Sequence, residues 1–600
     1  MITSLDQPIN KTDVLGDEAV FTVEPPQTSP FTAQASMSFK PMKDAVEAEP
    51  VKDSPAAPQE PGTTELFQRI VGSSERELRK RPQSSTAHSN LGIALLNSGK
   101  LEEAVQKLNE SLALNDTNYA ALAALAKAHI LRGGFTEARA LYDRARALAP
   151  RRPGPLLGLA NLASREGRLE EACALLRDVI RLNEKVAAPH YHLGITLLRM
   201  SRIQAAINEL RKATHLDVRI ASFHHALGVA YALAQSNRKA IRSLQAALSL
   251  APDLSESVHA LANVFLEEGQ AEAAVALLRK HLETTPHDTN ARETLARAYS
   301  TLGKHAASRA QLFEVLSALE KVPEDKSADK ARMHNNIGAS YINEQNYTEA
   351  EKHLQKAVAL APNEKYPWHN LAKVCVQTGR VPEALKLLRN AKDRIGDEET
   401  SLLIASIFGS EGEYQAGLRE LLPVLASGHA GPQTYACAGF LASDGEQDFQ
   451  SAKLILTEGL QRYAGNKPIV NNLAYVLLML GETTGARVVL ESLSKTDKAS
   501  VELTATWGLL HLREGDIATG TKLYQEAQQI ALSLGRPELA KRAYQKLHLE
   551  LARHYVDSGK PDDALREIKL GLLRRPSKEG WYTRELERMQ QDLQAGSTPA

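Results

Sequence analysis

Residues 91–114 read LGIALLNSGKLEEAVQKLNESLAL, and this stretch decides the fold. A large apolar residue precedes a small one at Leu91-Gly92, Gly99 follows seven residues after Gly92, and Ala104 follows after twelve. Leucines recur at spacings of three and four on both sides of Gly99, which predicts two amphipathic helices. Glycine favours the left-handed conformation that ends a helix, so the chain turns at Gly99. Small residues at two fixed positions allow the helices to approach closely.

The same pattern returns at six successive steps of 34 residues and then continues at less regular spacing. After Leu91-Gly92 it recurs at Leu125-Ala126, Leu159-Ala160, Leu193-Gly194, Leu227-Gly228, Leu261-Ala262 and Leu295-Ala296, and then at Ile337-Gly338, Leu371-Ala372, Ile404-Ala405, Ala438-Gly439, Leu473-Ala474, Trp507-Gly508 and Leu551-Ala552. The turn glycine is present in ten of these fourteen units, namely Gly99, Gly133, Gly167, Gly269, Gly303, Gly379, Gly412, Gly481, Gly515 and Gly559. The units after Ala405 and Gly439 look degenerate, with the second-helix alanine displaced to Ala416 and Ala452.

The unit resembles the tetratricopeptide repeat in its length, its Leu-Gly pair, its turn glycine, its second-helix alanine and a proline at its end. The resemblance covers roughly residues 64–576. It implies an all-α, right-handed superhelical solenoid of about fourteen helix–turn–helix repeats. The longer unit around residues 524–555 is similar to kinesin light chain repeats.

Departures from the period suggest five segments. We expect an acidic, proline-rich, disordered tail at 1–62, with ten acidic and four basic residues and hence a net charge of −6. An N-terminal array with a leading partial repeat spans 63–322, and a polar linker, PEDKSADK, covers 323–330. A C-terminal array spans 331–578, and a capping helix with a frayed end covers 579–600.

Composition narrows the class of function. The chain has 72 basic and 72 acidic residues, so bulk charge favours neither nucleic acid nor an anionic membrane. The sequence therefore predicts protein partners, no nucleic acid and no membrane insertion. Three distant cysteines indicate buried, reduced thiols. With no signal-like start and no membrane-length apolar run, we expect a cytoplasmic protein.

Catalytic signatures are absent from the sequence. It contains no phosphate-binding glycine loop, no nucleophile elbow and no HExxH motif, so we expect no enzyme activity and no cofactor. His192, His225 and His259 fall in three consecutive units, where repeats place equivalent residues side by side. Their spacing is not that of a zinc site and no carboxylate completes it in sequence, so we interpret them as polar groove lining and predict no metal.

In the resembling family the first helices line a concave groove, and the residue before Leu-Gly points into it. Asn90, Asn336, Asn370 and Asn472 hold this position, which is similar to the asparagine ladder of O-GlcNAc transferase repeat arms. An amide both donates and accepts, so it suits an extended peptide backbone. The ladder is interrupted, for example at His192. Two interpretations stay open, namely a grip on peptide backbone or locally bonded asparagines.

Basic residues fall on the same side of the first helices in the first half. They are Lys127, Arg165, Arg199 and Arg297, and Asn161 and Asn263 complete the candidate groove residues. Guanidinium groups suit carboxylate or phosphate partners, although an ordinary solvated face would show the same pattern. The sequence thus predicts a non-enzymatic scaffold that binds a peptide or protein segment. The alternatives are a targeting or regulatory subunit of an enzyme complex, such as a glycosyltransferase, and, less favoured, an RNA-binding helical repeat.

Overall fold

A computed structural model describes residues 63–323, 325–445, 447–493, 500–576 and 581–595. Of these residues 81% are helical, and the described part of the chain contains no strand. The predicted disordered tail at 1–62 lies outside the described residues. The all-α repeat solenoid expected from the 34-residue period is confirmed.

The chain divides into two compact units at Lys321 and Val322. In the N-terminal unit a leading helix precedes seven antiparallel helix pairs. The helices are α1 (Thr63–Lys80), α2 (Ser85–Asn97), α3 (Leu101–Leu114), α4 (Tyr119–Leu131), α5 (Phe135–Leu148), α6 (Pro153–Arg165), α7 (Leu169–Leu182), α8 (Ala187–Arg199), α9 (Ile203–Leu216), α10 (Ala221–Leu233), α11 (Asn237–Leu250), α12 (Ser255–Glu267), α13 (Ala271–Thr284), α14 (Thr289–Thr301) and α15 (His305–Glu320).

The C-terminal unit again holds seven pairs, followed by a final helix. Its helices are α16 (Ser327–Asn343), α17 (Tyr347–Leu360), α18 (Lys365–Gln377), α19 (Val381–Ile395), α20 (Glu398–Ser410), α21 (Tyr414–Ala426), α22 (Pro432–Phe440), α23 (Phe449–Arg462), α24 (Lys467–Met479), α25 (Thr483–Glu491), α26 (Val501–Arg513), α27 (Ile517–Ser533), α28 (Pro537–Asp557), α29 (Pro561–Leu573) and α30 (Trp581–Gln594). Because α16 begins at Ser327, the last four residues of the predicted linker 323–330 form its first turn.

The turn between the two helices of a unit requires one residue in the left-handed conformation. All ten predicted turn glycines have positive φ, from +65° at Gly559 to +87° at Gly515. In the four units without that glycine, the same conformation is taken by Ser201, Gln235, Gln345 and Gln447, with φ between 52° and 59°. The backbone path of the repeat therefore persists without glycine, at a conformational cost to those four residues.

Close helix contact explains the small residue after the large apolar one. A methyl group added at Gly228 would lie 2.6 Å from Leu244 Cγ, and Leu244 is fully buried. In the second unit Tyr142 replaces that leucine, and its ring fills the space where a side chain on Gly158 would stand. The larger residue and the absent side chain compensate each other in volume.

One unit predicted to be degenerate is regular. Gly417 stands twelve residues after Ala405, and a methyl group there would lie 2.9 Å from the Ala405 carbonyl oxygen. The displacement in the next unit has a structural cause, since a π-helical segment at Leu441–Gly445 prolongs its first helix. This insertion moves the second-helix alanine to Ala452, which is fully buried.

The core is a series of clusters along each unit. At the C-terminal end, α30 places Leu586 and Met589 against Leu549, Ala552 and Ile568 of the last pair. The cysteines Cys173, Cys375 and Cys437 are free thiols and all are buried, as the sequence predicts. None of the helices that the structure describes combines the length and apolar composition needed to span a bilayer.

Candidate binding surface

Each first helix of the N-terminal unit keeps one side away from its partner helix. In α2 this side carries Thr86, Asn90, Ile93 and Asn97, and the three polar residues among them are exposed. We call the equivalent four positions of each unit the first-helix stripe. In the next unit the stripe presents Lys127 and Leu131, both exposed. Asn90 and Lys127 are thus open to solvent, as a binding role requires.

One arginine of the stripe bonds to the preceding unit. Arg199 is half-buried, and its Nη1 donates to the Ser164 carbonyl oxygen at 2.8 Å and to Ser164 Oγ at 2.7 Å. Ser164 directly precedes Arg165, the stripe arginine of that unit. Within the part of the chain that the structure describes, Arg199 has no carboxylate at ion-pair distance. Its positive charge is held by neutral oxygen atoms only.

The third stripe arginine also bonds to the preceding unit. Arg297 donates through Nη2 to Asn263 Oδ1, so these two predicted groove residues form one pair. Burial lowers the pKa of Arg297, and the nearby Glu267 carboxylate opposes that change. Asn161, the residue equivalent to Asn263 three units earlier, is half-buried on the same stripe. The stripe of the sixth and seventh units therefore offers a desolvated guanidinium, from Arg297, and an amide, from Asn263. The Glu267 carboxylate lies between them in sequence and interrupts the basic pattern.

The three histidines of the predicted column, His192, His225 and His259, each contact a different residue. His192 is buried and its ring meets Tyr191 edge-on, with centroids 5.3 Å apart. His225 Nδ1 lies 2.9 Å from Ser257 Oγ, and burial lowers the pKa of His225 to about 4. His259 Nε2 lies 2.9 Å from Asp288 Oδ2. The expectation that no carboxylate joins these histidines is wrong for His259, because Asp288 comes from the following unit.

The asparagines of the C-terminal unit differ from Asn90. Asn336 and Asn370 have relative exposures of 0% and 3%, and they are linked through Asn335. Asn335 Nδ2 donates to Asn336 Oδ1 at 3.3 Å, and Asn370 Nδ2 donates to Asn335 Oδ1 at 2.9 Å. Asn335 was not predicted from the sequence. It directly precedes the expected position Asn336, and the equivalent residue of the next unit is not an asparagine.

The same arrangement recurs at Asn472, which is fully buried. Its Nδ2 donates to the Ala436 carbonyl oxygen of the preceding unit at 3.1 Å. Asn471 Oδ1 accepts from Thr506 Oγ1 of the following unit at 2.8 Å. The open asparagine ladder expected at Asn336, Asn370 and Asn472 therefore requires correction, because all three amides are buried and those of Asn370 and Asn472 bond to the preceding unit.

Further polar side chains of the last units also escaped prediction. Lys546 is 2% exposed and its Nζ lies over the Tyr475 ring at 4.4 Å from the centroid. Glu550, one turn further along α28, pairs with Arg513 at 2.9 Å. The lysine is visible in the sequence, but only the fold brings it to a tyrosine of another unit.

The family models locate repeats over both units. Models described as "Tetratricopeptide repeat" match residues 95–162, 153–178, 191–255, 265–325 and 328–395. Together with the fourteen helix pairs, this decides the assignment. The chain carries tetratricopeptide repeats. Such repeats bind proteins, so this tetratricopeptide-repeat chain is, in general terms, a protein-interaction scaffold. The narrower likenesses to O-GlcNAc transferase and kinesin light chain remain expectations from sequence.

Solved structures show similar helical repeats. PilF of Pseudomonas aeruginosa is 19% identical, covers 36% of this chain and 99% of its own, and has a TM-score of 0.33. MamA from Desulfovibrio magneticus RS-1 is 19% identical, covers 28% and 97%, and has a TM-score of 0.27. The Cut9–Hcn1 heterotetramer of the APC/C gives 14% identity, 84% and 96% coverage, and a TM-score of 0.33. A search among curated proteins found no match.

Proposed function

We propose that the chain is a non-catalytic scaffold whose N-terminal unit binds an acidic, extended segment of a partner protein along the first-helix stripe. The observation that supports this most directly is Arg199. Its half-buried guanidinium is fixed by two neutral oxygens of Ser164, the residue that precedes Arg165. A carboxylate bound there could accept N–H donors from the Arg199 guanidinium.

Electrostatics favour an acidic partner over a neutral one. Charges that are partly withdrawn from water interact more strongly than charges on an open surface, because the effective dielectric is lower. Arg297 is partly withdrawn from water in this way, and burial lowers its pKa. Lys127, Arg165, Arg199 and Arg297 therefore supply anchor points from the second unit to the seventh. Asn90, Asn161 and Asn263 add neutral donors and acceptors between them.

The N-terminal tail would act on the same surface. Residues 1–62 carry a net charge of −6 and the remaining 538 residues carry +6, since the whole chain sums to zero. A segment tethered beside its binding site acts at an effective concentration on the order of millimolar. The tail is thus a weak intramolecular competitor for the proposed stripe, and an acidic partner displaces it.

Capture of partners by charge-reversal variants tests the stripe. The double variant Arg165→Glu and Arg199→Glu should lose the partner that the wild-type chain retains on affinity purification. Arg177→Glu is the matched control, because Arg177 is an exposed arginine on a second helix of the same unit. Circular dichroism verifies that all variants remain helical. Equal capture by the wild type and the double variant contradicts the proposal.

Deletion of residues 1–62 tests the competition. The shortened chain should bind the captured partner more tightly, and the difference should shrink as salt rises above about 0.1 M. An unchanged affinity at low salt would show that the tail is a passive extension. The same purification addresses the alternative function, since a stoichiometric enzyme retained by every charge variant would favour a regulatory or targeting subunit.

A further inference from the structure

One group of metal-ligating side chains lies on the flank of the first-helix stripe. His259 on α12, His281 on α13 and Asp288 at the start of α14 place one ligand atom each within 4.8 Å of one another. Among the residues that the structure describes, no second group of three His, Cys, Asp or Glu side chains meets this condition. The three residues join both helices of one repeat to the next repeat.

The geometry converges on one carboxylate oxygen. Asp288 Oδ2 lies 2.9 Å from His259 Nε2 and 2.9 Å from His281 Nε2. The two imidazole rings are nearly perpendicular, at 87°, with centroids 5.9 Å apart. Zinc binds imidazole nitrogen and carboxylate oxygen at about 2.0–2.2 Å, which separates tetrahedral ligand atoms by roughly 3.3 Å. Each nitrogen therefore needs to move only a few tenths of an ångström away from the oxygen.

Burial distinguishes the cluster from exposed histidines. The side chains of His281, Asp288 and His259 are 3%, 15% and 22% exposed. Hydrogen bonds from His259, His281 and the Ala291 backbone N–H hold the Asp288 carboxylate in place between the two imidazoles.

The repeat supplies an internal comparison for each ligand position. Residues equivalent to His281 in the five preceding units are small, and none of those equivalent to Asp288 has a carboxylate or an imidazole. The first set is Ser111, Ala145, Val179, Ala213 and Ala247, and the second is Asn118, Arg152, Val186, Ile220 and Leu254. His225 is equivalent to His259, but Ala247 and Leu254 stand at its other two positions. Only the sixth unit thus combines three ligands on a backbone that its neighbours share.

We propose that His259, His281 and Asp288 form a binding site for a divalent transition metal of the zinc class. Two imidazoles and one carboxylate match the donor set of open zinc sites, in which the fourth position holds water or an incoming ligand. The metal takes both Nε2 atoms and Asp288 Oδ2 and replaces the two Nε2–H hydrogen bonds, so each neutral imidazole then carries its proton on Nδ1. The exposure of His259 and Asp288 leaves the fourth position accessible, so a side chain of a bound partner can complete the site.

Zinc binding by the full chain tests the site. The protein is stripped with a chelator and equilibrated with Zn²⁺ alone, and the bound metal is measured by elemental analysis and titration calorimetry. One Zn²⁺ per chain is expected. Co²⁺ as a second probe should give the intense visible absorption of four-coordinate cobalt rather than the weak bands of the hydrated ion.

Conservative variants separate a ligand role from a structural one. Asp288→Asn keeps a side chain that caps a helix, as Asn118 does at the equivalent position, and His259→Gln keeps a hydrogen-bond donor. Each should weaken Zn²⁺ binding by about 100-fold or more, since even indirect partners of a metal account for 10–100-fold. His225→Gln is the matched control and should leave binding unchanged. Sub-stoichiometric zinc in the wild type, or wild-type affinity in both ligand variants, would show that the cluster is only a hydrogen-bonded helix cap.

Discussion

Exchange of glycine and glutamine between two equivalent turns offers a direct test of how the repeat backbone is stabilised. Gln235 and Gly269 end the first helices of neighbouring units 34 residues apart, with φ of +53° and +72°. Their turns share one hydrogen-bond pattern. Ser236 N donates to the Tyr231 carbonyl at 2.9 Å, and Gln270 N donates to the Phe265 carbonyl at 2.7 Å. The two positions therefore differ in side chain and not in structure.

The expected change in the free energy of unfolding follows from backbone conformation alone. A left-handed conformation costs a residue with a side chain about 1–2 kcal/mol. Glycine avoids this cost but loses roughly 0.5–1 kcal/mol more conformational entropy on folding. Gln235→Gly should thus stabilise its unit by about 0.5–1 kcal/mol. Gly269→Gln should destabilise its unit by a similar amount, because the new residue takes on the cost of the left-handed conformation. No steric cost is added, since a methyl group built at Gly269 meets no atom within 4 Å.

Hydrogen exchange read by mass spectrometry resolves these local changes. Amides of α10 and α11 should exchange several-fold more slowly in Gln235→Gly, since 1.4 kcal/mol corresponds to a factor of ten. Amides of α12 and α13 should exchange faster in Gly269→Gln. Faster exchange in Gln235→Gly, or wild-type exchange in both variants, would refute this origin of turn stability.

Two further predictions concern packing and pH. Gly158→Ala should destabilise the N-terminal unit by about 1–3 kcal/mol, because the new methyl group overlaps the Tyr142 ring, and Tyr142→Leu in the same chain should recover most of the loss in urea unfolding. The folded-state pKa of His225, about 4, lies below its ordinary value of 6.5, so its neutral form favours folding above pH 6.5 and this contribution is lost as pH falls towards 4. Between pH 7 and pH 5 the loss should be roughly 1–2 kcal/mol, and melting curves of His225→Gln should lack that part of the pH dependence.

The fold was predictable from sequence because every helix contact repeats at a fixed separation. Leu91-Gly92, Gly99 and Ala104 each meet a partner within their own unit or the next, so one unit predicts the others. The prediction was incomplete where a residue adopts a backbone conformation that its type disfavours. Gln235 adopts a left-handed conformation with no sequence signal. The π-helical segment that displaces Ala452 likewise adds one residue without altering the hydrophobic pattern.

The candidate surface was less predictable, since its side chains reach across units. Arg165 and Arg199 could be placed on one side of their helices from the helical period, and both side chains are half-buried. The role of Asn472 could not be read in this way, because its amide bonds to a carbonyl 36 residues earlier. Whether a side chain faces solvent or a neighbouring unit depends on its length and on the residue it meets. The 34-residue period contains neither.

The hydrogen-bonded cluster of the sixth unit shows how a repeat array acquires new chemistry without a new fold. In the first unit Asn118 Nδ2 donates to Ser111 Oγ at 3.2 Å, so a polar contact already links these two positions. Five units later the same positions hold Asp288 and His281, joined at 2.9 Å. Each unit packs mainly on its neighbours, so an imidazole and a carboxylate can replace a hydroxyl and an amide there without disturbing distant units. A search for function in such arrays should therefore compare equivalent positions between units. The unit that departs from its neighbours in several ligand-bearing positions at once is the strongest candidate for a specialised site.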